Sequence, residues 1–209
     1  MSCWSRKKVY KPCNDGHRKI VIVGDSDCGK NFCFFHLFHE LIPWTFKGKS
    51  CLLQAINGQK WSDPYTRTFV DSYVVEKFIN EQKFELTLLD TNGSEEYDRL
   101  RPLSYPMTDI FIMCFAIDNP ESFKNVSEKW LPECKHFCPL ASIVLVGNKK
   151  DLRDDQTIEK ELVRYKECQK MARTIGAVHY VESSAKTGEG ICEITKYAAC
   201  YTSHKPAIK

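Results

Sequence analysis

The chain has 209 residues, a net charge of +3 and 43% hydrophobic residues, enough for one domain with a sizeable core. So small a charge excludes an extensive nucleic-acid surface, and no apolar run reaches the roughly 18 residues of a membrane span. The eleven cysteines are scattered and follow no signal peptide, so reduced thiols are expected and not a disulfide framework.

Residues 1–17 read as a basic tail, in which Arg6, Lys7, Lys8 and Lys11 offer at most weak contact with an anionic membrane. Lys19-Ile-Val-Ile-Val23 predicts a buried strand, and Gly24-Asp25-Ser26-Asp27-Cys28-Gly29-Lys30 follows it. Gly-x4-Gly-Lys after a strand is a phosphate-binding loop. Its backbone N–H groups cradle phosphates, and Lys30 would meet the β and γ phosphates. The motif should continue with a Ser or Thr that holds Mg²⁺. Here Asn31 and an aromatic stretch, Phe32-Cys-Phe-Phe-His-Leu-Phe-His39, come instead. Lys49-Ser50-Cys51-Leu52-Leu53-Gln54 looks like the missing half. Removing residues 30–48 would restore an unbroken loop, with Ser50 as the Mg²⁺ ligand only in that case. The junction codons permit a splice, so the segment reads either as a retained intron or as a true insertion.

Further strand-like runs lie at 68–78, 83–89, 110–116, 142–146 and 178–182. Helix-like segments alternate with them at 50–58, in part of 95–105, and at 121–136, 157–174 and 189–201. That alternation predicts an α/β fold with a mostly parallel sheet, helices on both faces and ligands at the carboxyl ends of the strands. The run from Phe84 ends in Asp90-Thr91-Asn92-Gly93. Asp90 there can hold Mg²⁺ through water, and Gly93 lets a backbone N–H approach a γ-phosphate. Gly147-Asn148-Lys149-Lys150-Asp151 follows another strand. An Asn-Lys-x-Asp element reads guanine, because the Asp151 carboxylate accepts from N1–H and the exocyclic amine. Ser184-Ala185-Lys186 follows the last strand and can close over the same base with backbone N–H groups. Cys134-x3-Cys138 with His136 lacks a second ligand pair, so no zinc site is expected.

These motifs, with Glu96-Tyr-Asp-Arg-Leu-Arg-Pro-Leu-Ser-Tyr-Pro106, Lys129-Trp130 and Val146-Gly-Asn-Lys-Lys-Asp-Leu-Arg153, resemble the Rho family of small GTPases over about residues 18–201. The resemblance implies a three-layer P-loop GTPase fold with six strands, GTP or GDP with Mg²⁺, and two switch loops that sense the γ-phosphate. It places Thr68 at the switch threonine that closes over Mg²⁺, and Tyr65 on the neighbouring tyrosine. It implies Rho-type effectors, exchange factors and GAPs as partners, no nucleic acid, and a role in the actin cytoskeleton by analogy. Two departures bear on hydrolysis. Ser94 stands where the family has its catalytic glutamine, and Ser26 replaces a small phosphate-loop residue. Both resemble the Rnd subgroup, which barely hydrolyses GTP. Residues 202–209 read as a short tail without a Cys-a-a-X box, so no prenyl anchor and a cytoplasmic location are expected. A second reading is a nucleotide-free module of the same fold that binds Rho partners.

Overall fold

The computed structural model describes residues 16–26, 48–58, 70–79, 81–155 and 161–200. Six strands form one sheet: β1 (His17–Val23), β2 (Val70–Ile79), β3 (Gln82–Thr91), β4 (Ile110–Ala116), β5 (Ser142–Asn148) and β6 (His179–Ser183). Their order is β2-β3-β1-β4-β5-β6. Only β2 and β3 pair antiparallel; every other neighbouring pair is parallel. The α/β expectation holds.

Strand periodicity divides the core between the two faces of the sheet. Ile20 and Ile22 of β1 turn to one face, with Ile112, Val144 and Val146, and there meet Leu52, Leu53 and Ile56 of helix α1 (Gly48–Ile56) and Ile194 and Ala198 of α5 (Ile191–Cys200). Val21 and Val23 turn to the other face with Phe111, Met113 and Phe115. They pack against α2 (Pro120–Asn125), α3 (Leu131–Phe137) and α4 (Tyr165–Thr174). Strand β4 is buried along its whole length, as its unbroken apolar run requires.

Two local differences from expectation have physical causes. Residues 121–136 form two helices joined by one wide turn, Val126–Trp130, in which Leu131 N–H donates to Val126 O. Pro132 lacks an N–H and crowds the preceding turn, so the helix widens ahead of it. Helix α4 begins at Tyr165 and not near 157. Val163 is buried and its N–H donates to Ile117 O at 2.8 Å, which ties the chain to the end of β4 until Arg164. Residues 156–160, residues 30–47 of the interrupting segment 30–48, and the C-terminal tail lie outside the described residues.

Candidate functional site

The carboxyl ends of β1, β3, β4, β5 and β6 share one edge of the sheet. Gly24 leaves β1 at φ 148°, and a Cβ there would strike Cys114 O, so only glycine fits. The carbonyls of Gly24 and Asp25 accept from Lys49 Nζ at 2.6 and 2.5 Å. Lys49 is only 7% exposed although it carries a charge. The Asp25 side chain turns away from the loop. Its two oxygens accept from Asn125 Nδ2 and Trp130 Nε1, each at 2.8 Å. Ser50, on the first turn of α1, donates its hydroxyl to Asp90 at the end of β3. One ammonium, the N-terminal amides of a helix, a hydroxyl and a carboxylate are thus brought to one place. Such a set suits a phosphate group with a hard cation beside it.

Asn92 and Gly93 follow β3 and lie directly on this loop: a Cβ on Gly93 would run into Gly24 O and Ser26 N. Ser26 Oγ donates to Asn92 Oδ1 at 3.2 Å, and Ser94 N–H donates to the same oxygen at 2.9 Å. Beyond Ser94 the chain forms two short 3₁₀ turns, Glu95–Tyr97 and Arg101–Ser104. Arg101 is 2% exposed. Its guanidinium grips both oxygens of Glu133, at 2.9 and 2.5 Å, and Asp98 at 2.7 Å. It also donates to Asn92 O at 3.1 Å and lies over the Trp130 ring, 4.6 Å from the centroid. Burial works against the Arg101 charge, but the bonds to Glu133 and Asp98 outweigh it and move its pKa up.

The other end of the site is built after β5. Asn148 is 4% exposed; its Oδ1 accepts from Ser183 Oγ at 3.1 Å, while its buried Nδ2 has no hydrogen-bond partner among the described residues. Lys149 takes the left-handed conformation at φ 68° and donates to both Asp118 oxygens at 3.0 and 2.9 Å. Asp151 sits half-buried in the turn Lys150–Arg153. Arg153 clasps the Glu182 carboxylate at 2.7 and 2.5 Å, and that bond raises its pKa. Lys150 pairs with Glu189. Ser184 is fully buried, and the turn after it closes through Gly188 N–H to Ser184 O at 2.8 Å. Ala185 is half-buried and Lys186 exposed at the rim.

A family model described as Ras family matches residues 41–201. The chain belongs to the Ras family. Ras-family members are small GTPase-type nucleotide-binding switches that take GTP or GDP with Mg²⁺. The match begins after Gly29-Lys30 and includes Gly48-Lys49-Ser50. Of the residues expected for the site, Gly24, Asp25, Ser26, Ser50, Asp90, Gly93 and Ser94 gather at one end of this Ras-family sheet edge. Asn148, Lys149, Asp151, Ser184, Ala185 and Lys186 belong to the turns after β5 and β6. Asp27, Cys28, Gly29, Lys30, Tyr65 and Thr68 lie outside the described residues.

Ser50 meets Asp90 in the chain that carries residues 30–48. The reason is in the sequence: Gly48-Lys49 repeats Gly29-Lys30 immediately before Ser50, so α1 starts with its own Gly-Lys-Ser. That repeat was the available signal for Lys49, which the reading from sequence placed in the missing half of the loop without giving it a phosphate contact. Asp118 and the Arg101–Glu133 pair carried no local signal, because their partners are distant in sequence.

Proposed function

We propose that the chain as written binds GTP and GDP with Mg²⁺ as a Rho-type switch with weak hydrolysis. In this reading the phosphate loop is split. Gly24 to Ser26 supply its first part, and Gly48, Lys49 and Ser50 its last. The observation that carries the reading is the buried Lys49 ammonium, seated on the Gly24 and Asp25 carbonyls beside the Ser50–Asp90 pair. Lys49 neutralises phosphate charge. Ser50 and Asp90 would hold a magnesium ion through hard oxygens, Asp90 by way of water, and the ion would supply neutralisation of phosphate charge. The donor set fits that ion, which prefers hard oxygen ligands.

At the base end, the buried Asn148 Nδ2 is a donor awaiting an acceptor, such as a ring nitrogen of the base. Asp151 accepts the two donors that guanine presents and adenine lacks. Ser94 is too short to orient a water as a glutamine would, which supports slow hydrolysis. Leu100, Leu103 and Met107 are exposed apolar groups on and just after the second switch, which suits effectors and regulators as partners. No described helix is long and apolar enough to cross a membrane. A cytoplasmic place with at most weak membrane contact remains part of the proposal.

The anchoring of residues 92–104 by protein groups favours the second reading, a nucleotide-free interaction module. One assay separates the two: fluorescent GDP titrated into the full chain at millimolar Mg²⁺. The switch reading expects saturable binding that Lys49→Ala abolishes and Lys30→Ala leaves intact. Absence of binding, or loss on Lys30→Ala alone, would sink it.

A further inference from the structure

Four contacts close a ring around the second switch. Asp25 accepts from Trp130, whose ring underlies Arg101. Arg101 donates to the carbonyl of Asn92, and the Asn92 side chain accepts from Ser26, next to Asp25 in the phosphate loop. The Ser94 backbone N–H can only donate, so the Asn92 atom facing it is the carbonyl oxygen. That oxygen therefore bridges the phosphate loop to the start of the second switch. Gly93 brings the two backbones into direct contact. Every bond in the ring is made between protein groups.

From this ring we propose that Asn92 is a positioning residue that latches the second switch to the phosphate loop, so that residues 94–104 hold one position with either GDP or GTP bound. The insensitivity to nucleotide rests on the binding reading above; the latch itself does not. In a responsive GTPase the γ-phosphate orders this segment and its loss releases it. A ligand shifts an equilibrium only by its differential interaction with the two states. Here Ser26 and Asn92 supply in both states a contact that the γ-phosphate would otherwise supply in one. The second switch would then present Leu100 and Leu103 constantly, and control of partner binding would have to come from elsewhere.

Amide hydrogen exchange over residues 94–104 of the full chain tests this, with bound nucleotide quantified in each sample. Protection in the wild type should agree within about twofold between GDP and a non-hydrolysable GTP analogue. Asn92→Ala removes the bonds from both Ser26 and Ser94, so it should lose at least roughly fivefold, the worth of one neutral hydrogen bond, and regain protection with the analogue. Ser26→Ala, which removes only the bond to the phosphate loop, should lose roughly fivefold, and the double variant should lose no more than Asn92→Ala alone. Asn92→Asp, which keeps the acceptor, should retain protection with GDP. A severalfold gain in the wild type on replacing GDP by the analogue would overturn the proposal, as would unchanged exchange in Asn92→Ala. Were no nucleotide retained, the binding reading would fall, and the same comparison of Asn92→Ala with wild type would still decide the latch.

Discussion

Replacing Arg101 by Ala should destabilise this protein more than any other single change in the second switch. The side chain is 1% exposed, and its partner Glu133 is 16% exposed. Truncation leaves the Glu133 carboxylate with the Tyr105 hydroxyl, which donates to it, as its hydrogen-bond partner among the described residues outside the Arg101 pair. It also removes the cation from the Trp130 face. Breaking a buried pair by deleting one partner costs about 3–5 kcal/mol, because the remaining charge stays desolvated. For a chain of this length each kcal/mol moves Tm by about 2–4 °C, so a drop of roughly 6–20 °C is expected. Removing both charges is a different perturbation. Arg101→Met with Glu133→Leu fills similar volume without an orphan charge, and should recover most of the loss. Urea denaturation of the two single variants and the double gives the coupling directly. A cost below about 1 kcal/mol for Arg101→Ala, or a double variant as weak as the sum of the singles, would refute the picture of a desolvated pair.

Asp151→Asn exchanges an acceptor for an amide and should weaken GDP by roughly tenfold to a hundredfold, while favouring xanthosine diphosphate in competition; an unchanged preference would contradict the base assignment. Single-turnover phosphate release should be slow and little helped by a Rho GAP domain, since Ser94 replaces the expected glutamine. A strong GAP-stimulated burst would show that another group orients the water, and Ser26→Gly with Ser94→Gln is the pair expected to gain activity. Burial pushes the Cys134 and Cys168 thiols and the Tyr105 and Tyr180 phenols up. The folded protein keeps these protons where the unfolded chain, at about 8.5 for Cys and 10 for Tyr, loses them. Their contribution is complete below about pH 8 and is lost as pH rises toward the folded values, so Tm should fall between roughly pH 8.5 and 11; a flat Tm over that range would count against it.

The strands were legible because they are apolar and alternate: Ile20 and Ile22 pack on one face, and Val21 and Val23 on the other. The Asn-Lys-x-Asp element was legible because Asn148, Lys149 and Asp151 lie within four positions of a strand end. Lys49 was harder. Two identical Gly-Lys pairs stand before one serine, and local pattern does not say which one α1 carries; the carbonyls of Gly24 and Asp25 decide it. Asp25 was expected in the phosphate loop, which binds through backbone N–H groups, and the sequence assigned its side chain no partner. Its side chain instead bonds Trp130, 105 positions away, a pairing that only the folded chain creates. The start of α4 was misplaced for a similar reason, since Ile117 O holds Val163 in extended chain.

Lys149 carries a consequence for kinetics. A lysine in the left-handed region is strained by roughly 1–3 kcal/mol, and the Asp118 carboxylate holds it there. That strut joins the ends of β4 and β5, while Arg153 joins the next turn to β6 through Glu182. The rim formed by these turns is therefore set when the chain folds, and under the proposed base assignment an incoming ring would order few groups. Pre-organisation of this kind lengthens residence more than it speeds capture. Cutting the strut with Asp118→Ala would register as faster release, with the rate of arrival nearly unchanged.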